Sequence, residues 1–94
     1  KSLLLRVRGD SMRNAGIFEG DLVVIERKGS PGDGEVVLAE IDNEWTLKVL
    51  KKDSKTDKVH LEAANPKYPN FYPKRELKIH GVVKAVMRKM GRVN

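Results

Sequence analysis

The apolar residues of this chain occur in short runs separated by turn-forming residues, and this pattern constrains the fold more than any other feature. No run exceeds four or five residues, a length that suits β-strands and is far too short for a membrane-spanning helix. We therefore predict a mostly β structure for residues 1–94, a single domain by length. The predicted strands cover residues 3–8, 21–28, 35–41, 44–51, 58–63 and 77–88.

Two of these strands, residues 22–25 and 36–39, are continuously apolar and do not alternate with polar residues. Continuous apolar strands are typical of sheets covered on both faces. This predicts folded-over antiparallel sheets or a partly closed barrel.

Three segments between the strands have distinct signatures. Asp42 and Asn43 form a tight hairpin turn by composition. Residues 11–17 suit a short helical turn with Asp10 or Ser11 accepting from backbone N–H groups at its start. Residues 65–73 contain three prolines, which remove ladder donors, so we expect an extended connector over the surface.

The composition excludes several kinds of site. The chain has no cysteine and two histidines, so it has no disulfide framework, and we expect no metal and no cofactor. We expect a cytoplasmic protein that needs no membrane. The chain starts with Lys1 and lacks a leader, which suggests a piece of a longer protein. A net charge of +6 leaves direct nucleic-acid binding open.

Lys48 is the one charged residue in the otherwise apolar or β-branched run 45–50. Strand periodicity places it on one face with Thr46 and Leu50. It is either an ordinary exposed lysine or a desolvated lysine, whose lowered pKa would leave a neutral amine that can act as a general base.

Ser11 lies between a Gly-Asp pair and Met12, directly after the first predicted strand. A serine hydroxyl is a poor nucleophile until a neighbour takes its proton. His60 and His80 lack an acidic partner at a recognisable spacing, so both are interpreted as structural or surface residues. Asp10 and Asp21 more plausibly cap turns than bind a metal.

Three blocks of sequence then resemble the catalytic domain of the LexA-type repressors. They are VRGDSMRNAGIFEGDLVVIER at 7–27, GEVVLAEIDNEWTLKVLKK at 34–52 and IHGVVKAVMRK at 79–89. This family of Ser-Lys self-cleaving peptidases also includes phage repressors and UmuD-type mutagenesis proteins. The first block is shared with bacterial signal peptidases, but the other two fit the repressor family better.

The resemblance implies roles for individual residues. Ser11 would be the nucleophile, Lys48 the general base, and the backbone N–H groups of Asp10 and Ser11 the oxyanion hole. Met12 would line the cleft or fill the core, and the Asp10 carboxylate should point away from Lys48. The implied dimer interface lies on the last strand: Ile79, Val82, Val83 and Val86.

The resemblance also implies a substrate and partners. The substrate would be a small-residue bond of the Ala-Gly type in an upstream segment outside these 94 residues. The partners would be a second copy of the chain, the RecA filament on single-stranded DNA as co-activator in the SOS response, and operator DNA bound by a separate N-terminal domain. A UmuD-type or phage-type protein with the same chemistry and a non-catalytic β-rich binding or dimerisation module are the alternatives.

Overall fold

The computed structural model describes residues 2–75 and 77–90. Within them the chain forms six strands and one 3-10 turn at Arg13–Ala15. The strands are β1 (Ser2–Arg6), β2 (Leu22–Glu26), β3 (Val36–Ile41), β4 (Glu44–Lys52), β5 (Val59–Glu62) and β6 (Lys78–Met87). The six predicted strands and the short turn after Ser11 are confirmed. No helix in this part of the chain is long and apolar enough to cross a membrane.

All six strands belong to one antiparallel sheet in the order β1-β2-β6-β3-β4-β5. The last strand in sequence, β6, therefore lies in the centre and joins the β1-β2 half to the β3-β4-β5 half. Over residues 2–75 and 77–90, β1 and β5 stay unpaired with each other. The sheet does not close into a barrel, and the predicted mostly β fold of folded-over antiparallel strands is confirmed.

The sheet bends where β6 meets its two neighbours. Register shifts interrupt the β2-β6 pairing between Val24 and Ile25 and the β3-β6 pairing between Leu38 and Ala39, and such bulges strengthen local twist. Gly81 lies between them, where an added Cβ would come within 2.6 Å of the Glu26 carbonyl oxygen. Only glycine permits this close approach of β6 to β2.

Because of this bend, one hydrophobic cluster combines side chains from both halves of the sheet, which is what a folded-over sheet requires. Its buried members are Val7, Met12, Ile17, Val23, Ile25, Leu38 and Leu47. A second cluster covers the opposite face of the β3-β4-β5 half, with buried members Val37, Ala39, Leu50, Leu61 and Val82.

The prediction of strands covered on both faces holds for β3 and fails for β2. Val37, Leu38 and Ala39 are all 0% exposed, because the two clusters lie on either side of β3. In β2 only Val23 and Ile25 are buried, while Leu22 and Val24 are partly exposed on the other face. An apolar run alone does not distinguish a covered face from an uncovered one.

The predicted connections are present, with one addition. Asp42 and Asn43 have φ values of 51° and 67°, the left-handed geometry of a tight hairpin turn. The connector, residues 65–73, lies outside the strands, but Phe71 forms an isolated bridge with Leu61 of β5 and packs on the second cluster.

An ion pair between buried Asp21 and exposed Arg88 links the residue after β6 to the segment that follows Ser11. Asp21 is 1% exposed, and its two carboxylate oxygens accept from Nε and Nη2 of Arg88, each at 2.7 Å. Arg88 also donates to the Gly16 carbonyl at 3.0 Å. The bonds from Arg88 to Asp21, followed by one from the Phe18 N–H group at 2.8 Å, lower the pKa of Asp21 to about 2.

Replacing Gly81 with alanine is expected to destabilise the protein by about 2 kcal/mol, because the new Cβ overlaps backbone that cannot move without opening the sheet. Thermal unfolding should show a Tm lower by about 10 °C. Gly29→Ala is the matched control, since an added Cβ there meets nothing within 4 Å. Equal Tm values for the two variants would contradict the close-approach explanation.

The Asp21–Arg88 pair should make the free energy of unfolding depend on pH in the acid range. A carboxyl whose pKa falls from 3.8 to about 2 on folding stabilises the fold fully above about pH 4 and progressively less as the pH falls to 2. Asp21→Asn should therefore lower the Tm at pH 6 and make its decline between pH 4 and 2 shallower. Asp42→Asn, the same change in an exposed turn, should leave the decline unchanged. A decline for Asp21→Asn as steep as that of the wild type would rule out this role.

Candidate active site

Ser11 is partly buried at a cleft between the end of β1 and the start of β4. The cleft has a volume of about 270 Å³, and its lining includes Leu5, Val7, Met12, Trp45, Thr46 and Leu47. Met12 is 2% exposed and belongs to the first cluster, so it both fills the core and lines the cleft. The site therefore has a hydroxyl group in a depression whose lining combines apolar side chains with Arg6, Arg8 and Thr46.

The loop that carries Ser11 has three consecutive backbone N–H groups, at positions 10–12, without an acceptor among the described residues. Gly9 N–H donates to Glu19 Oε1 at 2.9 Å and Arg13 N–H donates to the Asp10 carbonyl at 3.2 Å. Between them, the N–H groups of Asp10 and Ser11 donate to no residue in 2–75 or 77–90. Adjacent free N–H groups beside a hydroxyl are the donors that an oxyanion hole needs.

Lys48 is partly buried on β4. Its Nζ donates to Thr46 Oγ1 at 2.7 Å and to the Leu47 carbonyl at 3.2 Å. Burial disfavours the ammonium form and lowers the pKa of Lys48 below its ordinary value, with no charged neighbour contributing. An amine in this environment loses its proton more readily than an exposed lysine.

Ser11 lines the cleft and Lys48 does not, and no hydrogen bond joins the two side chains. Thr46 connects the two, because it lines the Ser11 cleft and accepts from Lys48 Nζ. Sequence reasoning placed Thr46 on the Lys48 face but gave it no role.

The Asp10 carboxylate faces the connector. Tyr68 Oη donates to Asp10 Oδ1, and Lys67 Nζ lies 3.2 Å from Oδ2. These two contacts, the tyrosine first, lower the pKa of Asp10, and the bond to Asp10 raises the pKa of Tyr68. Both carboxylate oxygens are engaged there, and Asp10 is not among the causes of the lowered pKa of Lys48.

The histidines take structural positions with acidic partners that spacing did not reveal. His60 Nε2 lies 2.7 Å from Glu62 Oε2, and its ring stacks on Tyr72. His80 Nε2 lies 2.9 Å from Glu40 Oε1, and its ring stacks on Trp45. Neither histidine lines the Ser11 cleft.

The four predicted interface residues of β6 have different environments. Val82 is 1% exposed and belongs to the second cluster. Ile79 and Val83 are partly buried against the two clusters. Val86 is 39% exposed and is the only one of the four with a largely accessible side chain.

A family profile and several known proteins match most of this chain. The profile of the family described as Peptidase S24-like matches residues 1–84. Protein SamA from Salmonella typhimurium is 40% identical over 88 residues, which cover 94% of this chain and 60% of SamA. A LexA repressor from Leptospira interrogans is 46% identical over 71 residues, which cover 76% of this chain and 34% of the repressor.

A LexA repressor from Verrucomicrobium spinosum is 42% identical over 88 residues, which cover 94% of this chain and 42% of the repressor. The chain thus spans between about a third and three-fifths of the length of these relatives. The family match covers most of the chain and includes both Ser11 and Lys48. The chain belongs to the Peptidase S24-like family.

Proposed function

We propose that this chain is the self-cleaving serine peptidase domain of a LexA-like repressor, with Ser11 as nucleophile and Lys48 as general base. The observation that carries the proposal is the environment of the Lys48 amine. It is partly buried, bonds only to Thr46 Oγ1 and the Leu47 carbonyl among the described residues, and has a pKa lowered by burial. A surface lysine needs none of these features.

The chemistry is an acyl transfer with Lys48 moving the proton. Neutral Lys48 takes the proton from Ser11 Oγ as that oxygen bonds to the carbonyl carbon of the scissile peptide. The resulting ammonium then gives the proton to the leaving amine as the peptide C–N bond breaks. Water afterwards releases Ser11 from the acyl group, with Lys48 again acting as base.

The backbone N–H groups of Asp10 and Ser11 are proposed to bind the oxyanion of the tetrahedral intermediate. They are adjacent, lie beside the nucleophile and donate to no residue in the described part of the chain. A donor of this kind is typically worth about 3 kcal/mol in the transition state. Because the donors are backbone groups, the side chain at position 10 is free for another task.

The substrate is proposed to be a small-residue bond in the protein's own upstream segment. A tethered segment has a high effective concentration at the cleft, which suits a peptidase that cuts itself. We further propose the RecA filament as co-activator in the SOS response and operator DNA as the ligand of a separate N-terminal domain. A UmuD-type or phage-type protein would share the chemistry; a helix-turn-helix in the full-length protein favours a repressor over the UmuD type.

A homodimer is proposed through the uncovered face of the β1-β2-β6 half. Leu4, Val24 and Ala85 are neighbours across the three strands, and Leu22 and Met87 form the next row. Leu4 is 61% and Met87 45% exposed. Contiguous exposed apolar rows are typical of contact sites, and a two-fold dimer would bury the same face on both copies. This surface replaces the buried Val82 as the candidate contact.

Ser11→Ala and Lys48→Met are each expected to abolish self-cleavage of the full-length parent protein while keeping the fold. The wild-type rate should rise with pH and level off at a midpoint below 10.5, the ordinary pKa of the amine, because deprotonation of Lys48 creates the base. The measurement is mass spectrometry of the products over time from pH 6 to 10, with circular dichroism to verify folding.

Ser30→Ala and Lys52→Met are the matched controls, because both residues are exposed and lie outside the cleft. They should cleave at the wild-type rate. Cleavage that persists in Ser11→Ala would refute the nucleophile, and a pH-independent wild-type rate would refute the lysine base. A folded wild type that never cleaves but binds DNA in a salt-sensitive manner would favour the non-catalytic alternative.

Met87→Glu is expected to convert the dimer to a monomer, because the charge would be buried in the proposed interface. Analytical ultracentrifugation of the 94-residue domain measures this directly. Met90→Glu is the control, since Met90 is 74% exposed and lies beyond β6. Dissociation by Val86→Glu but not by Met87→Glu would place the interface on the opposite face of the sheet.

A further inference from the structure

The connector is joined by hydrogen bonds to the loop that carries Ser11, although more than 50 residues separate the bonded groups in sequence. Asn14 N–H donates to the Ala64 carbonyl at 2.7 Å, and Asn65 Nδ2 donates to the Asp10 carbonyl at 2.8 Å. The loop is therefore held on both sides of Ser11.

Both the nitrogen and the oxygen of the Asn65 side-chain amide form hydrogen bonds in this contact. It is 5% exposed, and its Oδ1 accepts from Lys67 N–H at 3.0 Å while its Nδ2 reaches Asp10. Tyr68 N–H donates to the Asn65 carbonyl at 3.1 Å, so residues 65–68 form a closed turn. A fully satisfied buried amide fixes the position of its neighbours.

Tyr68 completes the contact from outside the hydrophobic core. Its Oη donates to the Asp10 carboxylate, and Lys67 Nζ contacts the other oxygen at 3.2 Å. The lysine side chain is 66% exposed, and such exposed ion pairs contribute little. Tyr68 is absent from the buried members of both clusters. Its bond to Asp10 is therefore a more important contact than packing of its ring in the hydrophobic core.

The loop has little regular structure of its own and is held by side chains, with Met12 and Ile17 buried in the first cluster. Between β1 and β2 its only regular structure is the three-residue turn Arg13–Ala15, whose first residue has no side-chain cap. Gly9 has a positive φ of 77°, a conformation that glycine adopts readily because it has no Cβ. The backbone donors at Asp10 and Ser11 are useful only if their direction is fixed before the substrate arrives.

We infer that Tyr68 and Asn65 are positioning residues for the reaction: by holding the side chain and the carbonyl of Asp10, they fix the direction of the Asp10 and Ser11 N–H groups and of Ser11 Oγ. This inference rests on the proposed function. It assigns a role to the connector, which the sequence identifies only as a surface segment.

The test is the pH profile of self-cleavage by the full-length parent protein carrying Tyr68→Phe. This change removes one hydroxyl and keeps the ring. Rates are measured from pH 6 to 10 at least 20 °C below the Tm of each variant, so that unfolding does not affect them. Tyr72→Phe is the matched control, because Tyr72 lies in the same connector, is 63% exposed and contacts His60, away from the loop.

The expected result for Tyr68→Phe is a plateau rate about 10-fold lower, since small misplacements of reacting groups cost one to two orders of magnitude. Its midpoint pH should equal that of the wild type, because Lys48 is untouched. Tyr72→Phe should match the wild type in both respects. Hydrogen exchange should be faster at the bonded N–H groups of Arg13 and Asn14 in Tyr68→Phe, as expected for a loop that has lost a restraint.

Two results would overturn the inference while leaving the proposed function intact. One is a Tyr68→Phe plateau equal to that of the wild type. The other is a shifted midpoint with an unchanged plateau, which would show an electrostatic effect on Lys48 and not positioning. Cleavage by the Ser11→Ala variant at the wild-type rate would instead refute the proposed function. The failure of the inference and the failure of the proposed function are therefore distinguishable.

Discussion

The pairing of β6 with both β2 and β3 is the contact on which the rest of the structure depends. One half of the sheet consists of β1 and β2 and the other of β3, β4 and β5, and β6 lies between them and pairs with both. Gly81 allows the close approach of β6 to β2 at the bend. The bend lets β2 and β4 contribute to one core cluster and brings the end of β1 beside the start of β4, where the cleft forms. The Ser11 cleft is therefore a product of sheet curvature.

Lys48 illustrates a conflict between stability and reactivity. Partial burial of an amine disfavours its charged form, and a carboxylate partner would relieve that cost. Here the amine has a hydroxyl and a carbonyl as its bonded partners within the described residues, neither of which stabilises the ammonium as strongly as an anion does. The Asp10 carboxylate, the acidic group nearest to Ser11 in sequence, is occupied by Tyr68 and Lys67. The domain thus keeps its acids and its candidate base apart.

The sequence predicted local features well and long-range ones poorly. Strand positions, the Asp42-Asn43 turn and the singular position of Lys48 follow from periodicity and residue type, which act over a few residues. The Asp21–Arg88 pair and the contacts of Asn65 and Tyr68 with Asp10 join groups more than 50 residues apart, and no local pattern encodes them. The burial of Val82 depends on which strands flank β6, and the open edges of the sheet depend on its overall curvature.

The central position of the last strand also has a consequence for synthesis. Ser11 and Lys48 leave the ribosome well before residues 78–87, which form β6. A nascent chain that ends before β6 contains both residues but lacks the strand that joins the two halves and the Arg88 side chain that anchors the segment after Ser11. Order of translation therefore separates the synthesis of Ser11 and Lys48 from the completion of the sheet that carries them.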